Sequence, residues 1–162
     1  MKLTIDLAKL VEVVDIACRF VSKNSTLPIL QNVYLKASID TLLIRATDME
    51  KYVEMEIPCE ITMEGAITVN AKMFLDLLRA IEDEKVELSV QGDQMKIKAE
   101  RDNFTINGIA ASEYVALPDA PQGNEFSLDT QTFITGIDKV EYTVTEKNFS
   151  PMLTGILIKT KA

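Results

Sequence analysis

The hydrophobic positions of this chain follow a period of two, then a period of about 3.6, and this order recurs. Residues 2–6, KLTID, alternate apolar and polar side chains as a β-strand does, and Asp6 then stands where a helix needs its N-cap. Residues 7–21 place their apolar side chains on one face of an amphipathic helix. That face is predicted to consist of Leu7, Leu10, Val11, Val14, Ala17 and Val21.

Three strand candidates follow this helix. Residues 29–38, 41–47 and 51–61 are rich in β-branched and aromatic side chains. The polar breaks between them are short and suit antiparallel connections. Asp48 and Glu50 lie in one of these breaks, so we interpret them as hairpin residues and not as a pair of functional acids.

The same order then starts again. Residues 66–70 are predicted to form a strand that ends at the capping residue Asn70, and residues 71–81 a helix. The inward side chains of this helix are predicted to be Met73, Phe74, Leu77, Leu78 and Ile81. Three strands follow, at 85–90, 94–100 and 103–110. We therefore predict two copies of a strand-helix-three-strand unit, at about 1–62 and 63–122.

Two further signals support this repeat. A shift of 64 residues places Thr4-Ile5-Asp6 on Thr68-Val69-Asn70. In the second unit, Gly92 lies between two strands, where a tight hairpin turn needs a residue that tolerates positive φ.

A third copy begins after a linker at 112–124 that carries proline and acidic residues. Residues 126–129 are predicted as a strand that ends at the capping residue Asp129, and 130–144 as a helix. The inward side chains of this helix are predicted to be Phe133, Ile134, Ile137, Val140 and Val144. A shift of 123 residues aligns this copy with the first without a gap, including Pro28 with Pro151. Only one predicted strand follows the helix, which suggests that the chain is part of a longer array.

These units predict an α+β fold. Each unit has one amphipathic helix and several antiparallel strands. Two units side by side can therefore bury a shared core between a helix layer and a sheet layer.

Composition adds limits on location. The chain has 162 residues, of which 47% are hydrophobic, which is enough for a proper core. No apolar run approaches the roughly 20 residues of a membrane-spanning helix, and no export signal is recognisable at the start. We therefore expect a cytoplasmic protein without membrane contact. Cys18 and Cys59 lack the spacing of a metal or redox pair and are predicted to be reduced thiols.

The net charge of −8, from 25 acidic and 17 basic residues, argues on average against a nucleic-acid partner. The average does not decide the question, because an acidic protein can still present one locally basic surface.

Catalytic chemistry is not indicated. The sequence has no histidine, which excludes a histidine base, and its two cysteines do not cluster for a transition metal. Glycine-rich phosphate motifs are absent from it. We interpret Glu82-Asp83-Glu84 as a solvated acidic turn and not as a Mg²⁺ site. No enzyme activity, cofactor or metal is expected.

Several segments together resemble a known family. They are MKLTID, TLPILQNVYL, IRATDMEKYVE, ITVNAKMFLDLLRAI, NFTINGIAASEYVALPD, FSLDTQTFITGIDKVEYTV and SPMLTGILIKT. Their order and spacing are similar to those of the bacterial DNA sliding clamp, the β subunit of replicative DNA polymerase III. The resemblance covers essentially the whole chain. It implies a DNA-clamp fold, in which two protomers of three similar domains form a ring with helices lining a hole around duplex DNA and sheets outside.

The resemblance also implies an organisation and a function. Residues 1–122 would be the first clamp domain, and residues 123–162 the incomplete start of the second. The implied function is that of a non-catalytic processivity subunit, which holds the replicative polymerase on DNA without reading its sequence. The implied partners are double-stranded DNA, the polymerase, the clamp loader and, at full length, a second protomer.

Candidate DNA contacts follow from the resemblance. They are Lys23 and Asn24 in the loop after the first helix, Arg79, Lys72 and Arg19 on the helices, and Lys147 in the corresponding loop of the third copy. Acidic residues are interleaved with the basic ones on the helices. An ordinary solvated face with i,i+4 pairs, such as Lys72 with Asp76, is therefore the alternative interpretation.

Two further sites are implied. Phe104 would anchor an interface between protomers, where aromatic side chains are enriched; a core phenylalanine is the alternative. Leu153 and Thr154 would begin a pocket for polymerase and clamp-loader peptides, which residues beyond 162 would complete. A function of a different class also stays open, namely a stand-alone interaction module that binds a protein through exposed sheet edges.

Overall fold

The computed structural model describes most of the chain, namely residues 1–22, 25–116, 126–145 and 150–159. Contacts divide the chain into two compact units, Met1–Pro118 and Asp119–Ala162, and each is described by itself. Within the described ranges, the first unit holds nine strands and two α-helices, and the second holds one α-helix.

Strands and helices alternate in the first unit in the predicted order. Its elements are β1 (Lys2–Asp6), α1 (Leu7–Cys18), β2 (Asn32–Ser38), β3 (Thr41–Thr47), β4 (Tyr52–Pro58), β5 (Glu60–Met63), β6 (Gly65–Asn70), α2 (Ala71–Arg79), β7 (Lys85–Gln91), β8 (Gln94–Lys98) and β9 (Asn103–Ile109). The strands form one antiparallel sheet in the order β4-β3-β2-β6-β9-β8-β7-β1-β5. The expected α+β fold with repeated units is confirmed.

The third strand of the first copy is bent, which the sequence analysis did not predict. Residues 51–61 divide at Cys59 into β4 and β5. Cys59 N donates to the carbonyl oxygen of Asp40 at 2.9 Å, and the preceding Pro58 has no N–H to continue a ladder. β4 pairs with β3, whereas β5 pairs with β1. β4 and β5 are the first and last strands in the order of the sheet, so this one bent segment connects its two edges.

A second crossing lies in β9. Residues Asn103–Asn107 pair with β8, while Gly108 and Ile109 pair with β6. A Cβ atom on Gly108 would lie 2.5 Å from the carbonyl oxygen of Thr68, so the two strands approach closely here. The buried Thr68 hydroxyl also accepts from Asn32 Nδ2 at 3.1 Å and donates to the Ile109 carbonyl oxygen at 3.0 Å. These contacts connect β9 to the β2–β6 part of the sheet.

The two helices of the first unit lie side by side over the core. α1 and α2 contact each other, and equivalent positions of the two copies are buried. These pairs are Leu7 and Ala71, Leu10 and Phe74, Val14 and Leu78, and Ala17 and Ile81. All of them are 64 residues apart, so the repeat extends from the sequence to the packing.

One detail of the α2 prediction is wrong. Met73 is 53% exposed, whereas Leu75 is buried. The helix begins at Ala71, and a stripe at i, i+3, i+4 and i+7 from that residue includes position 75 and excludes position 73.

All three predicted N-caps are present. The side chains of Asp6, Asn70 and Asp129 accept from the backbone N–H of Lys9, Met73 and Thr132 at 2.9, 3.0 and 2.9 Å, respectively. The helices end earlier than predicted because their final turns tighten into i→i+3 hydrogen bonds, as between Arg19 N and Ile16 O at 3.0 Å.

We expect Asn70→Ala to lower the free energy of unfolding by about 1 kcal/mol, because the Met73 N–H loses its acceptor. Asn70→Asp is the matched control, since it keeps the acceptor, and it should change stability by less than about 0.5 kcal/mol. Urea unfolding followed by circular dichroism measures both. Equal losses in the two variants would contradict the capping role.

The first unit extends into the predicted linker. A 3₁₀ turn covers Ala111–Glu113, and the ring of Tyr114 lies 5.4 Å from that of Tyr34, centroid to centroid. The Tyr114 hydroxyl donates to the carbonyl oxygens of Asn32 and Arg45 at 3.5 and 3.4 Å. Burial raises the pKa of Tyr114 to about 12. This tyrosine therefore belongs to the packed body of the first unit.

The second unit follows its prediction only in part. α3 (Thr130–Asp138) and a 3₁₀ turn at Pro151–Thr154 correspond, at a shift of 123, to the start of α1 and to a 3₁₀ turn at Pro28–Gln31. The strands predicted at 126–129 and after the helix are wrong for the described residues, where no neighbouring segment supplies ladder hydrogen bonds.

The apolar face of α3 is also less buried than predicted. Phe133 and Ile134 are 41% and 45% exposed, and Val140 is 39% exposed. Ile137 and Val144 are half-buried.

Candidate nucleic-acid interface

The solvent-facing side of α1 and α2 carries a mixture of charges, and we call it the two-helix surface. Its members are Lys9, Glu12, Asp15, Arg19, Lys72, Asp76 and Arg79. The apolar faces of both helices point into the core, so these side chains lie on the opposite side. Basic side chains slightly outnumber acidic ones here, whereas the whole chain has a net charge of −8. The distribution of charge is thus more favourable to a polyanion than the average.

Two of the predicted DNA contacts, Arg19 and Arg79, meet on one carboxylate. Asp15 Oδ2 lies 3.0 Å from Arg19 Nη2, and Asp15 Oδ1 lies 2.6 Å from Arg79 Nη2. The hydrogen bond from Arg19 and the charge of Arg79 hold the pKa of Asp15 below its usual value. Both arginine side chains stay largely exposed, at 73% and 53%.

Lys72 lies away from this cluster, in the first turn of α2. The Lys72–Asp76 ion pair of the alternative interpretation is not formed within 4.0 Å, and among the described residues Lys72 has no other ion pair. Because it has no ion pair among the described residues, Lys72 is an exposed cation available to a ligand.

Lys72 borders a groove whose other lining residues are Cys18, Val21, Ser22, Gln31, Asn70 and Leu75. Burial raises the pKa of the Cys18 thiol, which makes this thiol a poor nucleophile.

The positions of the lysines on the helices are unfavourable for helix stability. Lys9 and Lys72 both lie in a first turn, where the positive end of the helix dipole favours acidic side chains. The backbone N–H groups of Lys9 and Met73 in these turns are already accepted by the capping residues Asp6 and Asn70. A role of Lys9 and Lys72 toward an anionic partner would therefore depend on their side-chain charge.

Lys51 is a basic residue near this surface that the sequence analysis did not select. It lies in the β3–β4 connection, and its Nζ is 3.5 Å from the Arg19 carbonyl oxygen and 3.1 Å from Asp48 Oδ2. The Asp48 carboxylate also accepts the backbone N–H groups of Glu50 and Lys51, which agrees with a hairpin role for Asp48. Lys51 and Arg19 are 32 residues apart, so no sequence periodicity could have paired them.

Three of the predicted DNA contacts cannot be located on this surface. Lys23, Asn24 and Lys147 lie outside the described residues. The structure therefore brings Arg19 and Arg79 together and places Lys72 on the same two-helix surface.

Phe104 has features of both an interface anchor and a core phenylalanine. It lies opposite Ile97 in the β8–β9 register and packs, half-buried, against the core. In the described part of the chain, Asn103–Asn107 pair along one edge only, with β8. The ring thus lies on a strand with an open edge, and an interface role stays a prediction.

Leu153 and Thr154 lie in the 3₁₀ turn of the second unit. Leu153 is 57% exposed. Thr154 lines an open cleft with Ile137, Glu141, Tyr142, Val144, Thr145, Gly155 and Ile156. This part of the second unit therefore exposes apolar side chains, and a peptide pocket here stays a prediction.

Neither a metal site nor a membrane-spanning helix is found within the described ranges. No group of three or more His, Cys, Asp or Glu side chains there is arranged to hold a metal ion. In the acidic segment after α2, Asp83 Oδ2 accepts from Glu100 N at 2.9 Å, a contact within the fold. No described helix has the length and apolar character needed to span a bilayer.

Comparison with known proteins assigns the chain to a family. Residues 1–118 match the sequence profile described as DNA polymerase III beta subunit, N-terminal domain. The chain is 26% identical over 159 residues to the beta sliding clamp of Streptomyces coelicolor, covering 98% of this chain and 42% of that protein. It is 29% identical over 165 residues to the Bacillus subtilis beta sliding clamp, covering 96% and 44%.

Solved structures agree with this assignment. The DNA polymerase sliding clamp from Bacillus subtilis superposes with a TM-score of 0.87 at 28% identity, over 96% of this chain and 43% of that one. The sliding clamp from Caulobacter crescentus gives 0.85 at 29% identity, with the same coverage of 96% and 43%. The chain thus spans less than half the length of these relatives. Because the family profile covers most of the chain and the fold agrees, this chain belongs to the DNA polymerase III beta subunit family.

Proposed function

We propose that this chain is the N-terminal part of a sliding clamp, which surrounds duplex DNA within a ring and tethers the replicative polymerase during processive replication. It is a cytoplasmic, non-catalytic subunit. One observation carries the proposal: α1 and α2 lie side by side and present a surface of mixed charge, in a chain of the beta subunit family.

The chemistry of the two-helix surface suits a partner that must slide. Lysine and arginine attract phosphates without reading bases. The interleaved Glu12, Asp15 and Asp76 reduce this attraction. Weak, sequence-independent attraction lets DNA move past the surface while the ring prevents its escape.

We further propose that residues 1–122 form the first clamp domain and residues 123–162 the start of the second. The capped helix α3 and the 3₁₀ turn at Pro151–Thr154 support this division, because they repeat the first copy at a shift of 123 residues.

The remaining contacts belong to the same proposal. Phe104, on the open edge of β9, anchors the contact with a second protomer. Leu153 and Thr154 contribute to a pocket for peptides of the polymerase and the clamp loader. Lys23, Asn24 and Lys147 add DNA contacts to those of Arg19, Lys72 and Arg79.

We expect Lys72→Gln to weaken binding of a short duplex DNA of mixed sequence by about tenfold at 50 mM NaCl, because one phosphate contact is lost. The slope of log K against log salt should become shallower by about 0.9. Fluorescence anisotropy with labelled DNA over a salt series measures both quantities.

Lys96→Gln is the matched control. Lys96 is exposed on β8, where its neighbours Met95 and Ile97 point into the core, so it lies on the opposite side of the sheet from the helices. Lys96→Gln should leave the DNA affinity and the salt slope unchanged. An equal effect at Lys96 would contradict a helix-side interface. No salt-dependent DNA binding at all would favour the sheet-edge interaction module, whose apolar contacts salt does not weaken.

A further inference from the structure

The carboxylate of Asp15 occupies a special place on the two-helix surface. Asp15 and Arg79 are equivalent positions of the two copies, 64 residues apart, and they meet across the contact between α1 and α2. Asp15 also binds Arg19, one turn further along its own helix. One acid thus holds two of the basic side chains of this surface.

The geometry indicates more than a helix-packing contact. An ion pair between the helices needs only one arginine, yet Asp15 engages two, with N–O distances of 3.0 and 2.6 Å. The Asp15 side chain is 31% exposed and the arginines are more so. Ion pairs of such exposure contribute little to stability. Their effect on the charge seen by a ligand is larger, because the carboxylate lies between the two guanidinium groups.

We propose that Asp15 sets the strength with which the two-helix surface attracts DNA, by binding Arg19 and Arg79 and withholding part of their charge from the phosphates. This inference rests on the proposed function. Asp15 is a moderating residue: it does not contact DNA but limits two residues that do. A surface that held phosphates at full strength would resist sliding, so a built-in counter-charge is useful to a clamp.

The test compares variants of the whole chain with duplex DNA as the probe. In Asp15→Asn the two guanidinium groups are released from their counter-charge, and at least one further phosphate contact forms. Binding should tighten by about tenfold at 50 mM NaCl and by about threefold at 200 mM, and the salt slope should steepen by about 0.9. Asp15→Glu keeps the charge and should behave as the wild type.

Asp76→Asn is the charge-matched control. Asp76 is exposed on α2 and, among the described residues, has no ion pair within 4.0 Å. Its replacement removes one negative charge from the same surface without releasing an arginine, so affinity should rise less than about twofold and the slope should not change. Thermal unfolding should show nearly equal stability for all three variants, because the sites are exposed.

The outcomes separate two failures. If the wild type binds DNA in a salt-dependent way but Asp15→Asn does not bind more tightly, the role of Asp15 is overturned and the DNA surface stands. An equal gain in Asp76→Asn also overturns it, since net charge alone then accounts for the effect. If neither the wild type nor any variant binds DNA at 50 mM NaCl, the proposed function fails and this inference fails with it.

Discussion

Gly108→Ala is expected to destabilise the first unit by about 3 kcal/mol, the upper part of the range for overpacking. The added Cβ would lie 2.5 Å from the Thr68 carbonyl oxygen and 2.7 Å from Ile67 Cδ1. The carbonyl group cannot move without disturbing β6, so the strands must separate where β9 crosses from β8 to β6. Urea unfolding followed by circular dichroism in the β-sheet region gives the loss directly.

Gly92→Ala is the control for the cost of glycine replacement itself. Gly92 has a φ of +60° in the β7–β8 turn, but no neighbouring atom lies within 4 Å of a built Cβ. Its replacement should therefore lower the free energy of unfolding by only about 1 kcal/mol, because a residue with a Cβ is strained in the left-handed backbone conformation. If both variants lose the same stability, close strand contact at Gly108 is not the cause.

Phe74→Ala is expected to lower the free energy of unfolding by about 3 to 5 kcal/mol. Phe74 is fully buried and belongs to the core under both helices. Its truncation removes apolar contacts and leaves a cavity that the surrounding side chains fill only in part. The same urea experiment measures the loss. The two-helix surface is not altered by this substitution, so any loss of the proposed DNA binding should follow the fraction of unfolded protein.

Met73→Ala tests the phase of α2. Met73 is the preceding residue, equally apolar but 53% exposed, and its truncation should change stability by less than about 0.5 kcal/mol. Comparable losses at positions 73 and 74 would mean that the helix is rotated from its described orientation.

Part of the candidate site was predictable from the sequence. Arg19, Lys72 and Arg79 lie on the outer faces of their helices, as the apolar periodicity requires. The Asp15–Arg19 contact has the i,i+4 spacing that a sequence displays, but the contact between Asp15 and Arg79 was not predictable, because it depends on the distance between two helices 64 residues apart. The Lys72–Asp76 pair of the alternative interpretation is not formed, because i,i+4 spacing permits a contact but does not select it over solvation.

Sequence alone determined the local elements of this protein. The alternation of periods located the strands of the first unit and both of its helices, and the three caps followed from single side chains that accept a nearby N–H. These features depend on residues within a few positions of one another, which a linear sequence displays. The repeat was visible for the same reason, since equivalent positions carry equivalent local signals.

Tertiary structure alone decided how these elements connect. The bend at Cys59, the crossing at Gly108 and the burial of Thr68 depend on backbone groups that meet across the sheet. In the described residues of the second unit, the predicted strands do not form. An extended apolar segment becomes a strand only when a neighbouring segment supplies its hydrogen bonds. Apolar periodicity indicates which side of a helix or strand is buried. Long-range hydrogen bonds and charge pairs depend on which other segment the fold places beside that helix or strand.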